Sequence, residues 1–320
     1  MTRRAFCSAA AAAGRLALRA QPAADSVFTF QNSFWVNLHH FLRGESRRRS
    51  VNEPLELAPA DLGREQHSQW QRGLDVYAEL IKLNLIFDKR LVAIDNTLAK
   101  IAGEAELRPG VIEPEIGAVL NEAAPIYRAR LWEEHRRANA AWIAAHTPEI
   151  RRYSAAVKKA IAAALHTMPP RDPMLVDLAR DIGPNLAYTT AGPAGTAGHT
   201  VLAPQKNADP DIALNTIFHE ISHTMDREFN NHLYGEAERQ KVDPPRDLWH
   251  AITLYTTWKV AKRELGRGDG YRPDAENAAT FERNGWQRLF QALNRYWQPY
   301  LDGRVAFEAA LRDLVRETSR

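Results

Sequence analysis

Apolar side chains recur at intervals of three and four through much of the first half of the chain. This spacing predicts a helical segment over residues 74–102 and a second long helix over 113–146. A third helix is predicted over 149–166, after a break at Thr147-Pro148, because the residue before a proline is disfavoured in helical geometry. The chain from about residue 68 to 166 is therefore predicted to be helical almost throughout.

The pattern changes at the proline-rich stretch MPPRDP, residues 168–173. Three short segments whose residues favour β-strands follow, at residues 174–181, 185–192 and 199–205, and turns with glycine and proline separate them. Helical patterning then resumes to the C-terminus. The sequence thus predicts a mainly α protein with a small antiparallel β-sheet (α+β). Its predicted domains are a helical N-terminal lobe over 25–170 and a second region over 171–320.

One predicted helix of the second region carries the spacing His-Glu-x-x-His within NTIFHEISHTMD, residues 215–226. A helix turns by about 100° per residue, so His219 and His223 lie within about 40° of each other and can offer both imidazoles to one ion. Glu220 sits one step round the helix, beside such an ion, where a base acting on water belongs. The motif therefore predicts a metal site with a neighbouring base.

The rest of this helix fits the same interpretation. Asp209 or Asp211 can cap its start. Apolar residues recur on nearly the opposite face, at Leu214, Phe218, Ile221 and Met225. One face can then pack while the other carries chemistry, although two histidines that merely bond to neighbouring groups would show the same spacing.

A small sheet followed by a His-Glu-x-x-His helix resembles the zincin metallopeptidases, over residues 174–265 at most. The resemblance implies Zn²⁺ held by His219 and His223, Glu220 as general base, and a peptide or protein as substrate. It also implies a zincin-like catalytic region preceded by the helical lobe, with HTVLAPQ (199–205) as an edge strand that pairs with the substrate backbone. The segments FWVNLHHFL (34–42), YRARLWEEHRRANAAWI (127–143) and LWHAITLYTT (248–257) also resemble parts of uncharacterised bacterial secreted proteins that carry the same motif.

The third metal ligand does not follow from either established zincin spacing. Phe229 stands where one pattern has a histidine, and the helix between Asp247 and Glu264 lacks the glutamate of the other. His250, 27 residues after His223 and in the first turn of that helix, is the predicted third ligand. It could instead cap or pack near the helix start. The competing ligands are His232, Glu236 and Glu264.

A donor that stabilises the oxyanion of a hydrolytic reaction is also expected. Tyr271, on the glycine-rich loop GRGDGYRPD, is the predicted catalytic donor if that loop folds over the cleft. Tyr188 and Tyr255 are the alternatives. Tyr255 lies about 140° round the helix from His250, which counts against it.

Two other polar groups stand out in the helical lobe. Asn37, His39 and His40 occur among bulky apolar residues, and adjacent histidines point in different directions, so at most one of them could reach a cleft. His135 and Asn139 are one helical turn apart in a stretch whose many charges otherwise indicate a solvated face. The first group is more typical of satisfied core or boundary residues than of a site, and the second is more typical of a solvated face.

The composition, with 320 residues and 45% hydrophobic side chains, is that of an ordinary globular chain. No run approaches the roughly 18 to 20 apolar residues of a membrane helix. The net charge of +3 comes from the first 24 residues, which hold four arginines and no acidic residue. Without them, 38 basic and 39 acidic residues remain, so the basic pI does not predict nucleic-acid binding.

Residues 1–24 are predicted to be an export leader rather than part of the fold. Their Arg-Arg pair, alanine-rich stretch and small residues before Asp25 resemble a twin-arginine signal, which predicts a periplasmic or secreted protein. A mitochondrial transit peptide or a disordered cytoplasmic N-terminus are the alternatives. Cys7, the one cysteine of the chain, lies in this leader, so a metal in the rest of the chain must be held by His, Asp or Glu.

The residues together predict a zinc-dependent hydrolase of the peptidase class, in which Glu220 activates a metal-bound water. The alternative from another class is a non-catalytic metal-binding or helical interaction protein. A metal-only site does not need a base beside the water, so Glu220 favours the enzyme. A third hypothesis keeps the chemistry with a non-peptide amide or ester. The oligomeric state stays open.

Overall fold

A computed structural model describes residues 27–101, 103, 105–190 and 198–319 of the chain. These residues form twelve α-helices and four short β-strands, which confirms the predicted mainly α protein with a small sheet. The predicted export leader lies outside the described residues.

The first five helices precede most of the sheet: α1 (Phe34–Ser50), α2 (Arg64–Leu80), α3 (Lys89–Leu98), α4 (Pro114–Tyr127) and α5 (Glu133–Leu165). The remaining helices follow it: α6 (Pro210–Ser222), α7 (Asp226–Gln240), α8 (Leu248–Glu264), α9 (Pro273–Arg283), α10 (Gln287–Ala292), α11 (Gln298–Leu301) and α12 (Phe307–Thr318). The strands are β1 (Phe28–Gln31), β2 (Met174–Leu178), β3 (Ala187–Thr190) and β4 (His199–Leu202).

The segment predicted to be helical over 74–102 contains a break between α2 and α3. The side chain of Asn84 accepts hydrogen bonds from the backbone N–H groups of Ile86 and Phe87, which closes a local turn. The Asp88 side chain then caps the start of α3 by accepting hydrogen bonds from the backbone N–H groups of Arg90 and Leu91. The Asn84 turn thus lies in the connection between the two helices, and the Asp88 cap begins the second, although the apolar periodicity continues.

The helix end predicted at Thr147-Pro148 was wrong, because Pro148 lies inside the continuous helix α5. A proline in a helix interior removes one backbone hydrogen bond and costs about 3 kcal/mol or more. Trp142 and Ile150, on either side of it, are both buried in the core. Packing along both parts of the helix therefore outweighs the local preference for a break.

The three predicted strands occur as β2, β3 and β4, but the sheet is mixed rather than antiparallel as predicted. Its order is β1-β2-β4-β3, with β1 parallel to β2, β2 parallel to β4 and only β3 antiparallel to its neighbour. Strand β1 was not predicted. It reaches β2 through the long helical segment α1 to α5, and a long crossover of this kind permits parallel pairing.

Strand β4 lies inside the sheet, between β2 and β3, so the prediction that residues 199–205 form the edge strand was wrong. The edge on this side is β3, the one antiparallel strand. Because β3 follows β2 in the chain but pairs with β4, only the folded order of the strands reveals that β3 has a strand partner on one side only.

The sheet separates two groups of buried apolar side chains. One lies between the sheet and α5 to α12 and includes Met174 and Val176, whereas the other lies against α1 to α4 and includes Tyr188 and Val201. Helix α5 packs on α6 and α8, and β1 pairs with β2, so elements from both sides of the 168–173 break share one sheet and one core. None of the described helices has the length and apolar character needed to cross a membrane.

Candidate metal centre

The His-Glu-x-x-His segment occupies helix α6 and the residue directly after it. Asp209 caps the helix by accepting hydrogen bonds from the N–H groups of Asp211 and Ile212, at 3.0 and 3.2 Å, which settles the choice between the two aspartates. Although α6 ends at Ser222, His223 keeps helical dihedral angles, with φ −62° and ψ −20°. The two histidines therefore keep the one-turn spacing that places them on the same face.

The apolar face of α6 is buried as its periodicity predicts. The four residues assigned to that face are each no more than 1% exposed: Leu214, Phe218, Ile221 and Met225. They belong to the core between the sheet and the C-terminal helices. This packing fixes the rotation of α6 about its axis and so aims the opposite face, with the two histidines, away from that core.

Helix α8 brings His250 to the motif. His250 lies in the first turn of α8, which packs against α6. Its ring stacks on Trp249, with centroids 5.0 Å apart, and meets the edge of Trp286 at 5.4 Å. The Trp286 indole N–H also donates to Asp247 at 3.3 Å, just before the helix start. Two indole rings thus set the orientation of the His250 imidazole.

The three imidazoles converge through one nitrogen each. The Nε2 atom of His219 lies 3.2 Å from Nε2 of His250 and 3.2 Å from Nε2 of His223. A tetrahedral zinc ion with bonds of 2.0 to 2.1 Å separates its ligand atoms by about 3.3 Å. A single hydrogen on His219 could satisfy only one of its two neighbours, so a cation among the three nitrogens accounts for the convergence better than hydrogen bonds between the rings do.

Asp226 completes the surroundings of His223. One of its carboxylate oxygens lies 2.7 Å from Nδ1 of His223, so Nδ1 carries a hydrogen and Nε2 is the ring nitrogen that faces the other histidines. Burial disfavours the charged form of His223, but the charge and hydrogen bond of Asp226, with the charge of Glu220, outweigh it and raise the pKa of His223 to about 9. A carboxylate behind a ligating histidine is the usual outer partner at zinc sites.

The other two imidazoles are neutral at pH 7. Burial, with a smaller contribution from the nearby His223, lowers the pKa of His250 to about 3. Burial also holds the pKa of His219 well below its usual value, with smaller contributions from His223 and His250. A neutral imidazole is the form that ligates a metal, so these two groups need no deprotonation to do so.

Removing the Asp226 carboxylate is expected to weaken this centre without abolishing it. Loss of an outer partner of a ligating histidine typically costs ten- to a hundredfold in metal affinity. We therefore expect Asp226→Asn to raise the dissociation constant for zinc by roughly that factor, measured by competition with a chromophoric chelator.

The matched control is Glu228→Gln, which removes a second negative charge from the first turn of α7. Glu228 accepts a hydrogen bond from the N–H of Met168, away from the histidines. Equal losses of zinc affinity in the two variants would show that Asp226 acts through general charge rather than through His223.

Glu220 lies beside the three imidazoles and is not one of the converging groups. Within the described part of the chain, the three histidines are the one group of three or more His, Cys, Asp or Glu residues whose ligand atoms all lie within 4.8 Å of one another. The Glu220 side chain is 4% exposed, and one of its oxygens accepts a hydrogen bond of 2.7 Å from the Thr189 hydroxyl. Burial raises the pKa of Glu220, while the charge of His223 and the bond from Thr189 oppose that shift. This placement suits a base rather than a ligand.

None of the three tyrosines weighed as oxyanion donors contacts this cluster. Tyr188 binds His40 and Asp95 on the other face of the sheet, and Tyr255 binds Asn294 and Gln298. Tyr271 is buried, and its hydroxyl has no hydrogen-bond partner among the described residues.

Burial raises the pKa of Tyr271, and the charge of Asp211, in the first turn of α6, acts in the same direction. No hydrogen bond or ring contact joins Tyr271 to the three histidines among the described residues, so no contact supports its predicted role.

The competing third ligands all have partners elsewhere. His232 faces the carbonyl oxygen of His166 at 3.0 Å, Glu236 binds Arg239 and Gln240, and Glu264 pairs with its neighbour Arg263. Of the four side chains considered from the sequence, only His250 approaches the motif.

The polar residues noted in the helical lobe are buried structural groups. His39 and His40 are fully buried and face Tyr77, Tyr188 and Asp95 behind β3. Burial lowers the pKa of His39 to about 3, against the opposing charge of Asp95. Neither histidine reaches the three-histidine cluster.

The stretch around His135 is not a solvated face at this position, since His135 and Asn139 are each 1% exposed. His135 lies between Tyr127 and Glu56, whereas Asn139 donates to Asn37 and to the carbonyl of Leu178. Every third or fourth residue of this charged helix points inward, and the charges occupy the other positions.

Two contributors to the centre were not foreseen. Asp226 could have been found, because it follows His223 by three residues and a chain that stays helical brings such a pair together. Thr189 left no comparable signal, since it is 31 residues from Glu220 and meets it only through the fold.

Comparison of the whole chain with protein-family models, with curated proteins and with solved structures found no match.

Proposed function

We propose that this protein is a zinc-dependent hydrolase that cleaves peptide bonds. The observation that carries the proposal is the convergence of three Nε2 atoms, from His219, His223 and His250, with a buried carboxylate beside them. Three imidazole ligands, with a fourth position left to water, are a typical donor set for catalytic zinc. A site that only stores metal has no use for a neighbouring base.

His219, His223 and His250 would hold the ion. When bound, zinc supplies a Lewis acid that lowers the pKa of a water ligand and polarises a carbonyl group. Asp226 fixes the ring of His223 in the tautomer that ligates. Trp249 and Trp286 hold the ring of His250 by direct contact.

Glu220 is the proposed general base. Its carboxylate takes a proton from the attacking water and passes it to the leaving amine nitrogen as the peptide bond breaks. Burial raises the pKa of this group, which makes the carboxylate a better proton acceptor at neutral pH. The edge strand β3 borders the same site through Thr189 and has one side without a strand partner among the described residues. A substrate backbone could pair there in extended form.

The proposal predicts about one zinc ion per chain and a stability that responds to it. At free zinc a hundred times the dissociation constant, binding stabilises the folded state by about 2.7 kcal/mol, which corresponds to a rise of about 5 °C in Tm. Elemental analysis of the purified protein and thermal unfolding with and without added zinc measure both quantities.

Turnover is tested in the same preparation with fluorescently labelled casein and a pool of internally quenched peptides. We expect cleavage that a zinc chelator abolishes and added zinc restores. Protein that takes up no zinc and shows no change in Tm would contradict the metal site. Zinc uptake without cleavage of peptides, amides or esters would favour the non-catalytic alternative.

A further inference from the structure

The edge strand β3 carries a threonine whose hydroxyl lies among three oxygen atoms of other groups. The Oγ1 atom of Thr189 is 2.7 Å from Oε2 of Glu220, 3.3 Å from the Glu220 carbonyl oxygen and 2.7 Å from the hydroxyl of Thr200. Thr189 is 8% exposed, Thr200 is fully buried and Glu220 is 4% exposed. The three groups thus form a chain of hydrogen bonds from the sheet to the carboxylate.

The direction of these bonds follows from the number of hydrogens. Thr189 has one hydroxyl hydrogen, and the carboxylate is the strongest acceptor within reach, so Thr189 donates to Oε2 of Glu220. Thr200 then donates to Thr189, because the alternative acceptor, the Met174 sulfur at 3.2 Å, is weak. No other described residue donates a hydrogen bond to this carboxylate.

The position of Thr189 is set by the sheet and by the helices behind it. Thr189 and Thr200 are direct cross-strand partners in the β3–β4 pair. A side chain at Gly198 would collide with the carbonyl oxygen of Thr190, so only glycine permits this close approach where β4 begins. The register that pairs the two threonines is therefore held at the end of the hairpin.

The flanking residues of β3 point to the opposite face and anchor the strand there. Tyr188 donates a hydrogen bond to Asp95 at 2.9 Å, and Thr190 donates one to Asn96 at 2.8 Å. Both acceptors lie in the second half of helix α3. An edge strand has a partner on one side only, so these side-chain bonds replace part of the restraint that a second strand would supply.

We propose that Thr189 is a positioning residue, which orients the Glu220 carboxylate by binding Oε2 and leaves Oε1 as the oxygen that exchanges the proton. This inference rests on the proposed function, in which Glu220 is the base. A carboxylate on a flexible side chain is a less efficient base when its orientation is not held. A hydrogen bond to Oε2 prevents the rotation of the carboxylate group that would exchange the positions of Oε1 and Oε2.

The kinetic test compares Thr189→Val, which is close in shape but lacks the hydroxyl, with Thr189→Ser, which keeps it. With labelled casein and quenched peptides as substrates, we expect Thr189→Val to lower kcat by about ten- to a hundredfold. KM should stay within about twofold and the zinc content should be unchanged. Thr189→Ser should recover most of the activity, and Thr200→Val should give a smaller loss of kcat.

The matched control is Thr190→Val, which removes a hydroxyl from the same strand on the opposite face. It controls for loss of strand restraint and should change kcat by less than about threefold. A loss equal to that of Thr189→Val, or no recovery in Thr189→Ser, would show that the hydroxyl acts only on the stability of the strand and would overturn the proposal.

A double-mutant cycle on the metal-free protein tests the bond without any assay of activity. Thr189→Val should increase the equilibrium constant for unfolding in both the natural and the Glu220→Gln backgrounds. The factor should be about ten times larger when residue 220 is glutamate than when it is glutamine, since a hydrogen bond to a charged acceptor is stronger than one to a neutral amide. The same cycle with Thr190→Val should show a coupling of less than about twofold.

The two proposals can fail separately. Wild-type protein that binds no zinc and cleaves no substrate overturns the proposed function, and with it the role of Glu220 as the base that Thr189 positions. Wild-type protein that is active, combined with an unchanged kcat in Thr189→Val or with no coupling in the cycle, overturns the positioning role alone.

Discussion

Glu220→Gln is expected to lower turnover by roughly a hundredfold or more while leaving about one zinc ion per chain. Glutamine matches glutamate in size and can still accept the hydrogen bond from Thr189, but it cannot take a proton from water. A positioned general base contributes typically a hundred- to ten-thousandfold to the rate. Because Glu220 lies outside the group of converging nitrogens, its charge is not needed to complete the zinc ligands. Steady-state kinetics and elemental analysis of the same sample measure the two effects.

The control for this prediction is Glu236→Gln. Glu236 is also a buried carboxylate, but it pairs with Arg239 on α7 and takes no part in the cluster. We expect this variant to keep both zinc and turnover. Loss of zinc in Glu220→Gln would mean that Glu220 is a ligand, and retained turnover would mean that another group is the base.

His250→Ala is expected to weaken zinc binding at least about a hundredfold, more than the loss of an outer partner such as Asp226, and to reduce turnover to background. The remaining two imidazoles cannot complete the ligands of a catalytic zinc, which takes three from the protein. Zinc affinity is measured by chelator competition, and X-ray absorption spectroscopy of the wild-type protein counts the imidazole ligands. Three imidazoles at about 2.0 Å are expected.

His232→Ala provides the comparison, because His232 was weighed as a ligand from the sequence but faces the His166 carbonyl in the structure. It should leave zinc affinity unchanged. Since His250 packs between Trp249 and Trp286, its replacement also opens a cavity, so unfolding of the metal-free variants is compared as well. Restoration of zinc binding in His250→Gly by added imidazole would separate loss of a ligand from loss of packing. Unchanged zinc affinity in His250→Ala would exclude His250 as a ligand.

The helix that carries His219 and His223 could be predicted because each of its features is local. Asp209 caps the N–H groups two and three residues further on, the apolar residues repeat with the helical period, and two histidines one turn apart share a face. The first-turn position of His250 is local in the same sense. Its approach to His219 is not, since it depends on how α8 crosses α6 and on two tryptophans that hold its ring.

Local sequence patterns did not predict the helix boundaries correctly where side-chain hydrogen bonds or packing against distant residues determine the backbone conformation. Asn84 closes a turn after α2 and Asp88 begins α3 within an uninterrupted apolar period, because their side chains bind neighbouring N–H groups. Pro148, which favours a break, stays inside α5 because buried residues on both sides hold the helix. In the first case the side chain competes with the helix, and in the second the core overrides a local penalty of a few kcal/mol.

The sequence by itself determined the mainly α composition, the three strands β2 to β4 and the histidine pair with its adjacent glutamate, since all of these depend on residues within one or two turns of each other. Only the tertiary structure decided that β3, not β4, is the edge strand, and that Thr189 on β3 reaches Glu220. The alternation of apolar and polar side chains along a strand shows which residues share a face of the sheet. It does not show which strands are neighbours or which strand lies at the edge. That choice is made by long-range pairing, here of β4 with β2 on one side and β3 on the other, and by the helices that cover each face of the sheet.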